Sequence, residues 1–219
     1  MKHYKGIIFD LDGVLVHTDR FHYLAWKALA DRLGIPFDER KNDRCRGVSR
    51  MESLEILLEG SSCSPTEEEK EAWANEKNEH YRAYLLNMTP DDVETDVRQF
   101  LCEVRRRGYK TAIGSSSRNA KLILERTQID DLFDAVTDGC DIIESKPSPQ
   151  VFLTAAEKLG LSPAQCLVVE DAPSGVIAAQ RGDFDCACVG AAARISRPTY
   201  AICHLYELLP YFPEKDPAR

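Results

Sequence analysis

Two acids two residues apart, Asp10 and Asp12, follow an apolar run from Gly6 to Phe9, with Gly13 and Val14 directly behind them. A carboxylate at the tip of a buried strand must be paired, coordinated or protonated, and strand tips are where parallel sheets collect their ligands. On a strand, residues two apart point the same way. One acid can then attack an electrophile while the other moves a proton, provided a cation suppresses their mutual repulsion. Taken alone, such a pair also serves as turn residues closing a strand. Three further clusters bear on the choice.

Gly114-Ser115-Ser116-Ser117-Arg118-Asn119 leaves an apolar run and enters a helical pattern. Small hydroxyls and free N–H groups at a helix start suit an anion, although serine-rich N-caps are common. Ser145-Lys146-Pro147 places a lysine just before another helix; by itself it reads as a surface lysine. Val168-Val169-Glu170-Asp171 is a second apolar run ending in two acids, which coincidence explains poorly. Asp10, Glu170 and Asp171 make an oxygen-rich set without histidine or thiol, suited to a hard cation such as Mg²⁺. The same two acids also read as N-cap residues ahead of Ala172, a role compatible with metal binding.

The elements that must position these clusters alternate. Strand-like runs are expected at Lys5–Phe9, Tyr109–Gly114, Ala135–Thr137, Cys166–Val169, Cys186–Val189 and Tyr200–Cys203, with helical spacing between most of them. Val97, Leu101 and Val104 mark one helix; Val151, Phe152, Ala155, Ala156 and Leu159 mark another, with Ser148 and Pro149 as its start and Gly160 as its stop. This alternation predicts an α/β fold, a Rossmann-like parallel sheet covered on both faces.

The alternation lapses between residues 16 and 92, where no strand is expected. Leu24, Ala28, Phe21, Ala25, Leu29 and Leu33 predict an apolar helix face that ends at Gly34, and Ser49–Glu52 and Ser64–Glu67 each fit a capping box. The segment from Glu67 to Leu86 reads as a charged, largely exposed helix. The predicted organisation is therefore a core of residues 1–15 and 93–219 with an all-helical cap of residues 16–92 inserted after the first strand, over the acids. The joins fall near Leu15-Val16 and Thr89-Pro90-Asp91-Asp92. Pro210 to Arg219 reads as a frayed tail.

The chain has 219 residues, 43% of them hydrophobic, enough for one substantial core and a subdomain. Its 36 acidic and 28 basic residues give a net charge of -8, which argues against nucleic acid or an anionic membrane as partner. Any phosphate it binds must be gathered locally. Eight scattered cysteines without a Cys-x-x-Cys pair read as reduced structural thiols, with Cys186-x-Cys188 the one pair placed for redox or metal chemistry. No run approaches the ~18 apolar residues of a membrane span, and acids interrupt the first apolar stretch where a signal peptide would continue. A cytoplasmic, monomeric protein is expected.

Asp10-x-Asp12-Gly13-Val14, Ser115, Lys146 and Glu170-Asp171 match in order the four motifs of the haloacid dehalogenase-like phosphotransferases, and the resemblance spans nearly the whole chain. It implies a Rossmann-like core with a helical cap after the first strand. It implies that Asp10 is the nucleophile that becomes an aspartyl phosphate, and that Asp12 is the general acid and base. Ser115 and Lys146 would hold the transferring phosphoryl group, and Asp10, the Asp12 carbonyl, Glu170 and Asp171 would hold Mg²⁺. Phosphoryl transfer asks for just this positioning and charge neutralisation.

Within the cap, Thr18, His22 and Trp26 are four apart and line one side of its first helix; a lone histidine there is otherwise an ordinary half-buried one. Gly47-Val48-Ser49-Arg50 offers N–H groups and a guanidinium at a helix start, a seat for a second phosphate or simply a capped helix. Lys77-Asn78 adds a cation and an amide. With Ser116, Ser117, Arg118 and Asn119 on the core side, this set resembles the β-phosphoglucomutase branch of the family. That likeness implies interconversion of β-D-glucose 1-phosphate and D-glucose 6-phosphate through β-glucose 1,6-bisphosphate. Arg50, Ser117 and Asn119 would hold the non-transferring phosphate, Lys77 would touch the sugar or help the cap, and His22 would contact Asp12 or a substrate hydroxyl. Two departures stand out: His17 replaces the branch's usual hinge acid, and Arg181–Cys186 is more polar than the usual approach to the fifth strand.

A phosphatase of the same family would share this core and admit water, so the cap decides between them. A non-catalytic sugar-phosphate sensor on this fold would have lost one of the motif residues, and all are present. Ser115 lacks the second glycine of a serine-hydrolase elbow, and neither a Walker-type phosphate loop nor a His-Glu-x-x-His zinc motif occurs.

Overall fold

The computed structural model describes residues 2, 4–190 and 192–214. Six parallel strands form its centre: β1 (Gly6–Phe9), β2 (Lys110–Gly114), β3 (Ala135–Thr137), β4 (Cys166–Glu170), β5 (Asp185–Val189) and β6 (Tyr200–Ile202), in the order β3-β2-β1-β4-β5-β6. The expected strands are all present, with ends displaced by at most one residue. Side chains alternate between two buried faces, as helix-covered parallel strands require. Ile7, Phe9, Ile113, Leu167 and Val169 pack with α5 (Thr95–Arg106) and α6 (Ala120–Thr127). Ile8, Ala112, Val168 and Cys186 pack with α7 (Gln150–Leu159) and α8 (Pro173–Arg181). Ile8 sits between Ala112 and Val168, so β1 is central and delivers Asp10 to the middle of the sheet's carboxyl edge.

Between β1 and α5 lie α1 (Asp19–Leu33), α2 (Glu39–Arg44), α3 (Arg50–Leu58) and α4 (Glu67–Leu85), which form the helical cap. Of the expected face of α1, Ala25 and Leu29 are buried, Phe21, Leu24 and Leu33 are half-buried and Ala28 is exposed; Trp26 and Ala30 complete the buried stripe. The helix serves two cores: Trp26, Leu29 and Ala30 join Leu54, Leu57 and Ala74 inside the cap, whereas Ala25 joins Tyr81 and Leu85 on the side of the sheet. Gly34 ends α1 in the left-handed conformation, φ 68°.

The capping box before α4 is Thr66 with Glu69, two residues later than expected from Ser64. This start sets Glu67, Glu68 and Glu69 against the positive end of the helix dipole. Ser49 accepts from the Glu52 N–H at 3.1 Å and so caps α3. Helix α7 begins at Gln150, with Pro149 at the cap position where Ser148 was expected. The polar stretch before β5 turns at Gly182 and Asp183 (φ 60°) and buries Phe184 against Phe152. The segment expected to fray is instead docked through Glu214: Phe212 is fully buried against Tyr4 and Tyr109. Residues 215–219, the rest of that expected tail, lie outside the described residues. No helix among the described residues is long and apolar enough to cross a membrane. The eight cysteines are free thiols.

Candidate active site

β1 ends at Phe9, one residue before the first acid. Asp10 is nevertheless tied to the sheet, because its N–H donates to the Val169 carbonyl at 2.9 Å. Lys146 Nζ lies beneath it and donates to Asp10 Oδ1 at 2.5 Å and to Glu170 Oε1 at 2.6 Å. The Lys146 and Glu170 side chains are wholly inaccessible to solvent. Burial alone would lower the Lys146 ammonium; Asp10 and Glu170 more than offset that and hold it above the ordinary lysine range. Glu170 Oε2 accepts the N–H groups of Asp171 and Ala172, bracing the chain before α8; the N-cap itself is Ala172, without a side-chain bond, so neither acid caps the helix as expected. Any side chain at Gly175 would collide with the Glu170 carboxylate, so glycine is required in the first turn of α8.

Asp10, Glu170 and Asp171 bring carboxylate oxygens within 4.8 Å of one another. Burial, reinforced by Glu170, pushes Asp171 up to about 7. Burial likewise raises Asp10, against the pull of Lys146 and with the repulsion of Glu170. A crowded, all-oxygen set in which burial raises Asp10 and Asp171 fits a hard divalent cation such as Mg²⁺. The Asp12 carboxylate is outside this group.

The β2–α6 loop supplies Ser115, Ser116, Ser117, Arg118 and Asn119 to the same cavity. Its N–H groups are not all free, as the sequence led one to expect. Ser117 N donates to Ser115 Oγ at 3.1 Å and Asn119 N to Ser117 Oγ at 3.2 Å, the local bonding that short hydroxyl side chains favour. Ser116 Oγ faces no partner although buried, an orphaned donor on the cavity wall.

From the cap side, Thr18 donates to Asp12 Oδ1, and Tyr81 on α4 reaches the same oxygen at 3.4 Å. Burial raises the Asp12 carboxyl and the Thr18 hydrogen bond moderates the rise. His22 lines the cavity; its Nδ1 lies 2.9 Å from Lys77 Nζ rather than at Asp12, and its ring packs on Tyr81 at 4.0 Å between centroids. Burial, with Lys77 and Arg50 nearby, holds His22 well below the usual imidazole range.

Lys77 is buried between the Trp26 and Tyr81 rings, each 4.7 Å from Nζ. Burial and then Arg50 lower its ammonium from 10.5 to about 7. A lysine with a depressed folded pKa penalises the native state fully below pH 7, and the penalty fades as pH rises from about 7 to 10.5. Lys77→Met is therefore expected to stabilise the protein by roughly 1–3 kcal/mol at pH 7, with little gain at pH 10. Thermal melts at both pH values check this; equal shifts would contradict the depressed ammonium.

One cavity of about 650 Å³ is lined by Asp10, Asp12, His22, Trp26, Gly47, Val48, Ser49, Arg50, Lys77, Asn78, Asp171 and the five β2–α6 residues. Thr18, Lys146 and Glu170 are expected site residues that lie behind its walls. The cap is closed onto the core at several points. Arg46 bridges Asp19 of α1 at 2.5 Å and Asp171 at 2.8 Å, and Asn119 bonds both Asn78 and Arg82 of α4. His17 sits at the hinge with Nε2 3.4 Å from Glu94 on the return strand of chain.

Tyr81, Arg46 and Arg82 escaped sequence reasoning. Tyr81 follows Lys77 by four residues and so shares its helix face, and Arg46 adjoins the Gly47–Arg50 cluster; both were signals. Arg82 carried none on a helix so heavily charged.

The model of the haloacid dehalogenase-like hydrolase family matches residues 4–183. The chain belongs to that family. The β-phosphoglucomutase of Bacillus subtilis is 42% identical over 176 residues, covering 80% of this chain and 78% of its own. A phosphorylated carbohydrates phosphatase of Thermotoga maritima is 31% identical, covering 83% and 82%. The crystal structure of β-phosphoglucomutase from Clostridium difficile superposes with a TM-score of 0.88 at 33% identity, covering 94% of this chain and 93% of that one.

Proposed function

We propose that the protein is a β-phosphoglucomutase, interconverting β-D-glucose 1-phosphate and D-glucose 6-phosphate through an aspartyl phosphate and β-glucose 1,6-bisphosphate. The observation that carries this reading is a second anion seat in the cavity that holds the acids. Arg50 Nη2 and Asn119 Nδ2 both donate to Asn78 Oδ1, each at 2.9 Å, so two donors from opposite sides converge on one oxygen. A ligand with one phosphate on Asp10 needs such a seat for its other phosphate; a one-phosphate ester does not. The likeness to relatives named as β-phosphoglucomutases points the same way.

Asp10 attacks phosphorus as the bond from phosphorus to the sugar oxygen breaks and that oxygen takes a proton from Asp12; in the return step a sugar hydroxyl gives its proton to Asp12, attacks phosphorus and expels Asp10. Lys146, held at Asp10 Oδ1, balances negative charge at the transferring group. The Ser115 and Ser116 hydroxyls line the wall beside it. Asp12 exchanges the sugar hydroxyl proton; burial raises its carboxyl, the direction that favours holding a proton, and Thr18 and Tyr81 orient its carboxylate. Asp10, Asp171, Glu170 and the Asp12 carbonyl would hold Mg²⁺. The ion would supply charge neutralisation for the phosphoryl group. Cap closure excludes water while the bisphosphate turns round. The reading carries with it small sugar phosphates as ligands, a monomer, a cytoplasmic setting, and no nucleic-acid or membrane partner.

A sugar-phosphate phosphatase is the second reading, favoured by the phosphatase relative at 31% identity. Phosphorus NMR with Mg²⁺, β-glucose 1-phosphate and a trace of β-glucose 1,6-bisphosphate separates the two. A growing glucose 6-phosphate signal without inorganic phosphate is expected. Inorganic phosphate growing in its place would overturn the mutase.

A further inference from the structure

Asn119 stands at the N-cap of α6, where an asparagine side chain ordinarily accepts an N–H of its own helix; here it makes no capping bond. It is buried, 6% exposed, and both ends of its amide are engaged by α4. Arg82 Nη1 donates to Oδ1 at 3.1 Å, while Nδ2 donates to Asn78 Oδ1 at 2.9 Å. An amide can face either way, and a guanidinium, which has donors only, settles which end is oxygen. With its oxygen held by Arg82, Asn119 must present N–H groups to the cavity, the polarity an anion requires. Asn78 Oδ1 accepts from Arg50 Nη2 as well. It therefore occupies the place where a phosphate oxygen would accept the same two donors. Asn78 and Arg82 are four apart on α4, so one helix face supplies both the stand-in oxygen and the group that orients the donor.

We propose that Arg82 is a positioning residue: it turns the Asn119 amide so that its donors face the distal phosphate of a bisphosphate ligand when the cap is closed. This rests on the two-phosphate reading of the cavity. Arg82 touches neither substrate nor the reacting atoms. Its effect passes through Asn119, and because it rides on the cap, the distal seat gains its full donor set on closure.

The test titrates β-glucose 1,6-bisphosphate as the phosphate donor for β-glucose 1-phosphate in the Mg²⁺-loaded enzyme. Arg82→Met is expected to raise KM for the bisphosphate roughly tenfold, the worth of one charge-assisted hydrogen bond, with kcat little changed. Arg82→Lys, which keeps a donor of similar reach, restores most of the affinity. In an Asn119→Ala background, Arg82→Met has no further effect on KM, because the amide it orients is gone. Additive losses in that cycle, or a KM for Arg82→Met equal to that of the unmodified enzyme, would overturn the assignment and leave the mutase reading intact. A protein that only hydrolyses the bisphosphate would overturn the mutase reading, and the same KM comparison on hydrolysis still decides the role of Arg82.

Discussion

Asp10→Asn is expected to abolish phosphoryl transfer, with turnover falling by at least ~10⁴-fold, because a carboxamide is not a competent nucleophile and no second carboxylate can take its place. Asp12 is turned toward Thr18 and Tyr81, and Glu170 is occupied by Lys146 and by the N–H groups of Asp171 and Ala172. The fold survives the change. Asparagine has the same shape, its oxygen still accepts from Lys146, and one member of a repelling buried carboxylate group is removed. Transfer assays beside a thermal melt check both halves. Retained turnover in a folded variant would remove Asp10 from the chemistry.

Lys146→Met is expected to have the largest effect on stability, a loss of about 3–5 kcal/mol in metal-free buffer, as when one partner of a buried ion group is removed. The ammonium is the positive group between Asp10 and Glu170, and Nζ lies over the Phe152 ring at 4.7 Å from its centroid. Methionine fills similar space but leaves two desolvated acids facing each other. Mg²⁺ is expected to recover part of the loss, since a divalent ion at Asp10, Glu170 and Asp171 replaces the missing charge. Melting curves with EDTA and with Mg²⁺ measure this, and an unchanged midpoint in EDTA would show that the acids do not depend on Lys146 for neutralisation.

Much of this was legible along the chain because strands and motifs are local. The runs ending in Asp10 and in Glu170 carry their acids with them, and Gly34 and Gly160 stop helices by their own conformational freedom. What was not legible depends on neighbours distant in sequence. Ala28 is exposed because α1 divides its burial between the cap interior and the sheet side, which periodicity on one helix does not reveal. Phe212 docks because Tyr4 and Tyr109, from two other strands' approaches, form its pocket. His22 and Asp12 take separate partners because Lys77 and Tyr81, one turn apart on α4, reach them from across the cap. Arg82 gains a role only through the amide of Asn119, on the other side of the cavity.

The central place of β1 also governs how the molecule is made. β1 precedes both of its partners along the chain, β2 and β4, since Ile8 pairs with Ala112 and Val168. The cap, whose own core joins Trp26, Leu29, Leu54, Leu57 and Ala74, draws on contacts far closer along the chain and can condense first. Pairing of β1 therefore depends on contacts more than 100 residues apart, the non-local kind that forms slowly. Asp10 thus precedes Glu170 and Asp171 along the chain by about 160 residues, and its setting is complete only when all three are brought together.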